Sequence, residues 1–440
     1  MDEKPFVKSK TQRLFSLGKT VLKAGGKYAL AQGKIKTEKI IHDANNKLIE
    51  KKETLAQIKA ATELISALGN MKGAAMKLGQ MLSITDDLLL SKEVTDLFKV
   101  LQKETSYMPK AQVDEVFLSN FSKIPSELFK NFEYKAIAAA SIGQVHKAQL
   151  HSGEFVAIKI QYPDIEDVIR NDLKNIDHLK NLVGIIIPDH PKIDPIIEEL
   201  KRSLIEECNY IRERENIIEF KSMLKDDFPK ILIPSTYEDY CTKKVLTMDY
   251  MTGATFDETL DWSKKDREEI SKLYYHYYLY TVFHKRLFHS DPQHGNFLFN
   301  KDEMILLDFG STMKLEKEFI DKYISTIKSV FEKDYEVFKF HMIDFGIFKK
   351  EVAEEQLIKF YQLFHEYIAP YSEDGSFPVQ DVNPFKSFLD FAISVPFKHR
   401  GVPHKNFVLL DRANIGMYMK LKKWGADIDW VSPRKKYLYK

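Results

Sequence analysis

Cysteine is nearly absent from this chain: Cys208 and Cys241 are the whole supply. Two thiols cannot build a disulfide framework or a cysteine-rich zinc site, and they fit a reducing compartment. Long apolar runs are missing too. The longest aliphatic stretch, about Leu182–Ile187, is far short of the roughly 18–20 residues that span a bilayer. The N-terminus lacks a secretory apolar core. Asp2, Glu3 and a large excess of Lys over Arg argue against a mitochondrial transit peptide. Internal repeats and low-complexity tracts are lacking. Global charge is small, +2, so nothing in the composition points to nucleic acid.

What is present is an ordinary globular mixture. Hydrophobic residues make up 44% of the 440 residues, enough for a sizeable core in one two-lobed enzyme with an extension. The charge is unevenly spread. Residues 1–40 hold ten Lys/Arg and three Asp/Glu, a net of +7, so the other 400 residues net −5. Leu14, Leu17, Val21 and Leu22 fall at helical spacing among Lys19, Lys23 and Lys27. That pattern suits a solvated helix packed on the body, or a basic amphipathic segment lying on an anionic membrane.

Helical patterning continues to about residue 130, and 1–125 reads as an N-terminal helical extension. Strands are then expected at Asn131–Ile137, Gly143–Leu150 and Glu154–Gln161, with an Ala-rich turn after the first and His-Ser-Gly (151–153) after the second. A helical insertion at 164–187, a helix at 195–224 and strands near 231–238 and 244–250 complete a lobe over 126–252. Residues 253–440 read as mainly helical, apart from two short strands around 289–310. The order predicts an α+β chain of two lobes able to enclose a cleft.

The strongest chemical signal is His289-Ser290-Asp291-Pro292-Gln293-His294-Gly295-Asn296, followed twelve residues later by Asp308-Phe309-Gly310. Phosphoryl transfer needs a carboxylate near the attacking oxygen and oxygen ligands for Mg²⁺ at the phosphates. Asp291 and Asn296 have the five-residue spacing of a kinase catalytic loop, and Asp308 opens the D-F-G that follows it. A second D-F-G, Asp344-Phe345-Gly346, has no such loop before it and reads as a core turn at a helix end. Val156-Ala157-Ile158-Lys159 matches V-A-I-K; strand alternation sends Lys159 to the face opposite Val156 and Ile158, where it can reach the α- and β-phosphates. Its carboxylate partner is sought on the 195–224 helix, where Glu206, Asn209, Glu213 and Asn216 form one polar stripe.

Two features bear on the nucleotide. A kinase carries glycines between its first strands, but Ala138-Ala139-Ala140-Ser141-Ile142-Gly143 stands here, and alanine restricts positive φ and close backbone approach. Phosphate cradling by Ala138, Ala139, Ala140 and Ser141 therefore differs from the ordinary kinase pattern. The strand ending in Val245–Met251 has the position of an interlobe hinge, with the Asp249 carbonyl and Met251 N–H facing an adenine edge.

The Ala-rich loop, AAASIGQVH at 138–146, VAIKIQYP at 156–163 and Met76-Lys77-Leu78-Gly79-Gln80 together resemble the UbiB-type atypical kinases, in the branch that supports coenzyme Q synthesis. The resemblance runs from about residue 65 to 430. It implies that Lys77 and Gln80 belong to a K-x-G-Q helix gating the cleft, with Glu207 as the partner of Lys77. The family's E-x-D falls on Glu207-Cys208-Asn209, so its Asp is Asn209 here. It further implies that Glu213 pairs with Lys159, that Asp291 is catalytic, and that Asn296 and Asp308 hold Mg²⁺.

The expected cofactors are ATP or ADP with Mg²⁺, and the expected reaction is phosphoryl transfer from ATP, as an ATPase or a small-molecule kinase. A nucleotide-sensing scaffold and a genuine protein kinase stay open as alternatives. Expected partners are the nucleotide, an anionic membrane surface, hydrophobic quinone precursors and proteins of a biosynthetic complex, with no nucleic acid. The expected setting is cytoplasmic and peripheral on a membrane, with a mitochondrial one also open. Arg400, Asp411 and Arg412 suit structural ion pairs, and the aromatic run Tyr274–Tyr280 suits a packed helix.

Overall fold

The structure is a computed structural model that describes residues 107–140, 142–174, 201–202, 204–291, 293–368, 376–378, 391, 394–396, 399–401 and 403–438. Lys77, Gln80, Ser141, the N-terminal helical extension up to residue 106 and the insertion beyond Lys174 lie outside them. Two compact units emerge. One gathers the chain up to Tyr210 with Tyr237–Met248; the other joins Ile211–Thr236 to Asp249–Lys440.

The first unit is built on a five-stranded sheet. Its strands are β1 (Asn131–Phe132), β2 (Ala138–Ala140), β3 (Gly143–Gln149), β4 (Phe155–Gln161) and β6 (Val245–Asp249), in the order β1-β3-β4-β6 with β2 also on β3. The strand expected over Asn131–Ile137 is only two residues long, because the chain leaves the ladder before pairing again at the alanines. Those alanines form a strand where a turn was expected, with Ala138 opposite Val145 and Ala140 opposite Gly143. Helix α1 (Lys110–Phe121) buries Val113, Val116 and Phe117, and Phe117 meets Phe129 and Phe132 edge-on. Helix α2 covers Ile165–Lys174.

The continuous helix expected over 195–224 is interrupted. Cys208 and Asn209 leave the helix, and α3 restarts at Tyr210 and runs to Leu224. The Cys208 thiol folds back onto the Leu204 carbonyl at 3.2 Å, while the Tyr210 N–H goes to Lys243 O at 3.0 Å. The break removes the helical register that would have put Glu206 and Asn209 on one stripe with Glu213 and Asn216. The strand expected near 231–238 is likewise cut to β5 (Ile231–Leu232), with a 3₁₀ turn at Glu238–Tyr240.

In the second unit, β5 runs parallel to β9 (Glu303–Leu306), and β9 forms a hairpin with β8 (Phe297–Asn300). A second pair joins β7 (Leu287–His289) to β10 (Thr312–Lys314). Helix α4 (Lys264–Leu279) starts at Ser263, whose side chain accepts the Asp266 N–H, and passes into a π-helical turn, Tyr280–Lys285. That turn ends at Arg286 with φ 58°, reversing the chain directly into β7. Single π turns are frequent at functional sites. Here one delivers the strand that carries His289.

Helices α5 (Lys317–Phe331), α6 (Tyr335–Asp344), α7 (Glu354–Ile368), α8 (Lys405–Trp424) and α9 (Val431–Leu438) complete this unit, with a further strand pair, β11 (Ser376–Pro378) and β12 (Asp427–Asp429). The aromatic run is core. Tyr275 donates to Trp430 O at 3.0 Å and Tyr278 to Asn414 Oδ1 at 2.7 Å. Trp424 packs on Phe256, Phe299 and Tyr274 and gives its indole N–H to Thr259 Oγ1 at 2.7 Å. Asp344-Phe345-Gly346 ends α6, with Gly346 at φ 71° and Phe345 buried beside Phe319 and Phe407. It is the core turn expected of it.

Candidate active site

In the first unit, the seven-pair register of β3 with β4 sets the facing of every side chain. Val145 lies opposite Lys159 and His146 opposite Ile158. Lys159 and Ala157 therefore share a face with Val145, and Ile158 shares the other with His146. The Lys159 ammonium, mostly buried, lies 5.1 Å above the Tyr210 ring. A cation over an aromatic face gains roughly 0.5–2 kcal/mol, so Tyr210 helps to hold the lysine where β4 aims it.

On the opposite face, the Gly-Gln-Val-His segment has a structural task. Met108 N–H donates to Gln144 Oε1 at 2.8 Å, Gln144 Nε2 meets His146 Nε2 at 2.7 Å, and His146 Nδ1 meets Glu133 O at 2.9 Å. A carbonyl only accepts, so His146 carries its proton on Nδ1. Burial holds the imidazole below its usual range, keeping it neutral. The pair fastens the start of α1 and the β1 segment to the sheet. Gly143 is required by packing. A Cβ there would lie 2.0 Å from the Ile160 carbonyl oxygen.

In the second unit, the loop from His289 to Asn296 and the turn Asp308–Gly310 are tied through their backbones. Asp291 N–H donates to His289 Nδ1 at 3.3 Å, so the ring proton sits on Nε2, which donates to the Asp308 carbonyl. Burial lowers the His289 pKa against the pull of Asp291 and Asp308, which favours this neutral tautomer. Asn296 Nδ2 donates to Asp291 O at 3.3 Å, and the Asp308 carboxylate accepts Gly310 N–H at 2.9 Å. Ser290, standing where kinases carry Arg, bonds Ser311 through backbone and side chain at 2.9 and 3.1 Å.

Phe309 is fully buried against Phe220. Glu213 Oε1 accepts its N–H at 3.4 Å, and Asn216 Nδ2 donates to its carbonyl at 2.9 Å. Helix α3 thus grips the D-F-G backbone from both sides. The inner side of the loop is packed. The cavity beneath it, lined by Tyr274, Tyr277, Thr281, His289 and Phe297 among others, measures about 10 Å³, room for one water.

The ABC1 atypical kinase-like domain matches residues 100–360, more than half of the chain. The chain belongs to this family. It is similar to the mitochondrial atypical kinase COQ8B of Danio rerio, 32% identical over 61% of this chain and 43% of that one. The mitochondrial atypical kinase coq-8 of Caenorhabditis elegans is 29% identical over 84% of this chain and 49% of that one. The corresponding Saccharomyces cerevisiae COQ8 is 32% identical over 59% and 52%. The chain spans about half the length of the curated relatives it matches. Among solved structures, Rv3197 of Mycobacterium tuberculosis, solved with erythromycin, superposes with a TM-score of 0.60 at 24% identity, covering 88% of this chain and 98% of that one. The likeness shows the fold, which is α+β and protein-kinase-like.

With the ABC1 frame in place, the remaining expected residues can be located. Ala138 and Ala139 are exposed on β2 and Ala140 is half-buried. Asp249 ends β6; its carboxylate accepts Ser235 N–H at 2.7 Å and its N–H donates to Ser235 O at 2.9 Å. Met251 is half-buried just beyond. The Glu207 carbonyl accepts Gln161 Nε2 at 3.4 Å. Lys159 and Glu207 belong to the first unit; Glu213, Asp249, Met251, Asp291, Asn296 and Asp308 belong to the second. Arg400 donates to the Val395 carbonyl at 2.8 Å, and burial raises the Asp411 carboxyl to about 6; the Arg412 side chain lies outside what is described. Sequence reasoning missed Lys420, a fully buried lysine of α8.

Proposed function

We propose that this ABC1-family chain binds ATP with Mg²⁺ and transfers or releases its terminal phosphate in support of coenzyme Q biosynthesis. The observation that carries the reading is the His289 bridge, which joins the Asp291 backbone to the Asp308 backbone within a loop of kinase spacing. Two motifs that phosphoryl transfer uses together are thereby locked to each other. Relatives named COQ8 and coq-8, both mitochondrial, support the coenzyme Q setting and a mitochondrial location. Among the described residues no helix is long and apolar enough to cross a membrane.

The roles follow from chemistry. Asp291 orients the nucleophile and accepts its proton. Lys159 aligns the phosphates, with Glu213 as its proposed countercharge. Ala138–Ala140 and Ser141 border the phosphates, and Asp249 and Met251 offer backbone groups to adenine. Lys77, Gln80 and Glu207 form the proposed gate. The donor set at the metal fits Mg²⁺, because Asn296 and Asp308 offer hard oxygens. The Asn296 amide nitrogen is engaged with Asp291 O, which leaves its oxygen as the acceptor. Mg²⁺ bound there would neutralise charge on the phosphates.

Phosphate release and nucleotide affinity test the reading on the full chain. Asp291→Asn should lower release by about 100-fold or more while nucleotide still binds. Asp308→Asn should weaken the Mg²⁺-nucleotide complex itself. Equal release by wild type and Asp291→Asn would overturn the enzyme reading and favour a nucleotide-sensing scaffold.

A further inference from the structure

Gln161 stands two residues after Lys159 on β4 and shares its face of the strand. Its side chain is buried, with 1% of the residue exposed. A buried amide is costly unless its N–H groups find acceptors. Gln161 Nε2 has two, Glu207 O at 3.4 Å and Lys243 O at 3.2 Å. Glu207 closes the helical segment before the break at Cys208–Asn209, and helix ends leave carbonyls that need donors. The Lys243 carbonyl also takes the N–H of Tyr210, the first residue after the break, at 3.0 Å. A carbonyl has two lone pairs, and both are then used. One buried amide therefore ties both sides of the break to the strand that carries the lysine. All of these residues belong to the first unit.

The break decides what lies beside Lys159. Tyr210 is as deeply buried as Gln161, and its ring centre is 5.1 Å from the Lys159 ammonium, itself in a residue only 8% exposed. A lysine ends in a compact charge on a flexible four-carbon stem, so the strand alone does not fix where the ammonium sits. An aromatic face does, because its negative quadrupole attracts the cation.

We infer that Gln161 and Tyr210 are positioning residues for phosphoryl transfer. The Gln161 amide fixes the helix break, and the break lays the Tyr210 ring against the Lys159 ammonium, so that the cation meets the phosphates in one place. Both residues act through Lys159. The inference rests on the reading of Lys159 as the lysine that aligns the phosphates. At position 210 the ring face counts and the hydroxyl does not. At position 161 the two N–H donors count and the length of the side chain does not.

The test measures Mg²⁺-ATP affinity by equilibrium titration, phosphate release and thermal unfolding, all in the full-length chain. The single variants are Lys159→Met, Tyr210→Phe, Tyr210→Leu and Gln161→Met; Tyr210→Leu and Gln161→Met are each also combined with Lys159→Met. Tyr210→Leu should weaken ATP binding by about 3- to 30-fold, the range that a lost cation–aromatic contact spans. Gln161→Met, which keeps the length without the donors, should weaken it in the same direction. Tyr210→Phe, which keeps the ring, should recover most of the loss. In the Lys159→Met background neither Tyr210→Leu nor Gln161→Met should change affinity by more than about twofold, because the group they hold is gone. A merely structural role gives the same fold-loss in both backgrounds. That additivity, wild-type affinity in Tyr210→Leu, or a Phe variant as weak as the Leu variant overturns the inference and leaves Lys159 in its role. If one of the two variants unfolds, the other decides the comparison; loss of the fold in both makes the pair structural and overturns the inference. Wild-type affinity and release in Lys159→Met removes the reading of Lys159, and the inference with it.

Discussion

At the scale of single residues, burial decides which ionisable groups are costly. Asp411 on α8 is the clearest case outside the catalytic loop. Desolvation raises its carboxyl from 3.8 to about 6. A raised carboxyl pKa means the folded chain binds a proton that the unfolded chain has released. Stability therefore falls as pH rises from about 4 through 6, and the full cost, up to about 3 kcal/mol, stands above that window. Asp411→Asn should then raise stability near pH 7.5 by up to about that amount, less the share of the charge that reaches water, and should give no gain near pH 3.5. Urea unfolding at both pH values checks it; equal stability of mutant and wild type at pH 7.5 would refute the assignment.

The same scale shows what sequence could and could not tell. Asp291, Asn296 and Asp308 are legible because phosphoryl transfer demands fixed residue types at fixed spacing. Lys420 is not, because Lys420-Leu421-Lys422-Lys423 reads as the solvated end of a helix. Only the approach of Tyr274 and Phe297 from other elements turns one of those lysines inward. The His289 bridge is equally silent, since the partner it finds is a backbone carbonyl nineteen residues away.

At the scale of elements, the alternation of β3 and β4 was readable and the joints were not. Lys159 faces as strand periodicity demands, because seven consecutive pairs enforce the register. Ala138–Ala140 form a strand although alanine is a poor strand former, since pairing with β3 overrides intrinsic preference. The break falls on Cys208 and Asn209, two weak helix formers, but with good helix formers such as Glu206, Glu207, Arg212 and Glu213 on either side propensity alone does not place it. It is set by Tyr210 N–H finding Lys243 O, a partner from another segment of the chain. Gly143 sits at the tightest joint. Gly143→Ala would drive a Cβ against the Ile160 carbonyl, which rigid neighbouring strands cannot move aside. It should destabilise the protein by about 1–3 kcal/mol, measured as a lower urea midpoint at unchanged slope. A midpoint equal to wild type would show that β3 and β4 separate there without cost.

At the scale of the whole molecule, charge is divided along the chain more sharply than its net +2 suggests, with +7 in residues 1–40 and −5 in the rest. An acidic body gains nothing near an anionic bilayer, whereas each lysine close to such a surface contributes about 1 kcal/mol. The two parts therefore pull in opposite directions, and the first forty residues decide the sign. In a helix, Leu14, Leu17, Val21 and Leu22 among lysines would give that segment an apolar stripe to insert as well as charge to attract. Deleting residues 1–36 should accordingly lower affinity for phosphatidylserine-containing vesicles by about tenfold or more and leave weak binding to phosphatidylcholine vesicles unchanged. The difference should shrink as salt shortens the reach of surface charge. Co-sedimentation of full-length and truncated chains with both vesicle types measures it. Undiminished binding after truncation would place the membrane contact in the body, and the basic segment would then be a solvated helix packed on the rest of the protein.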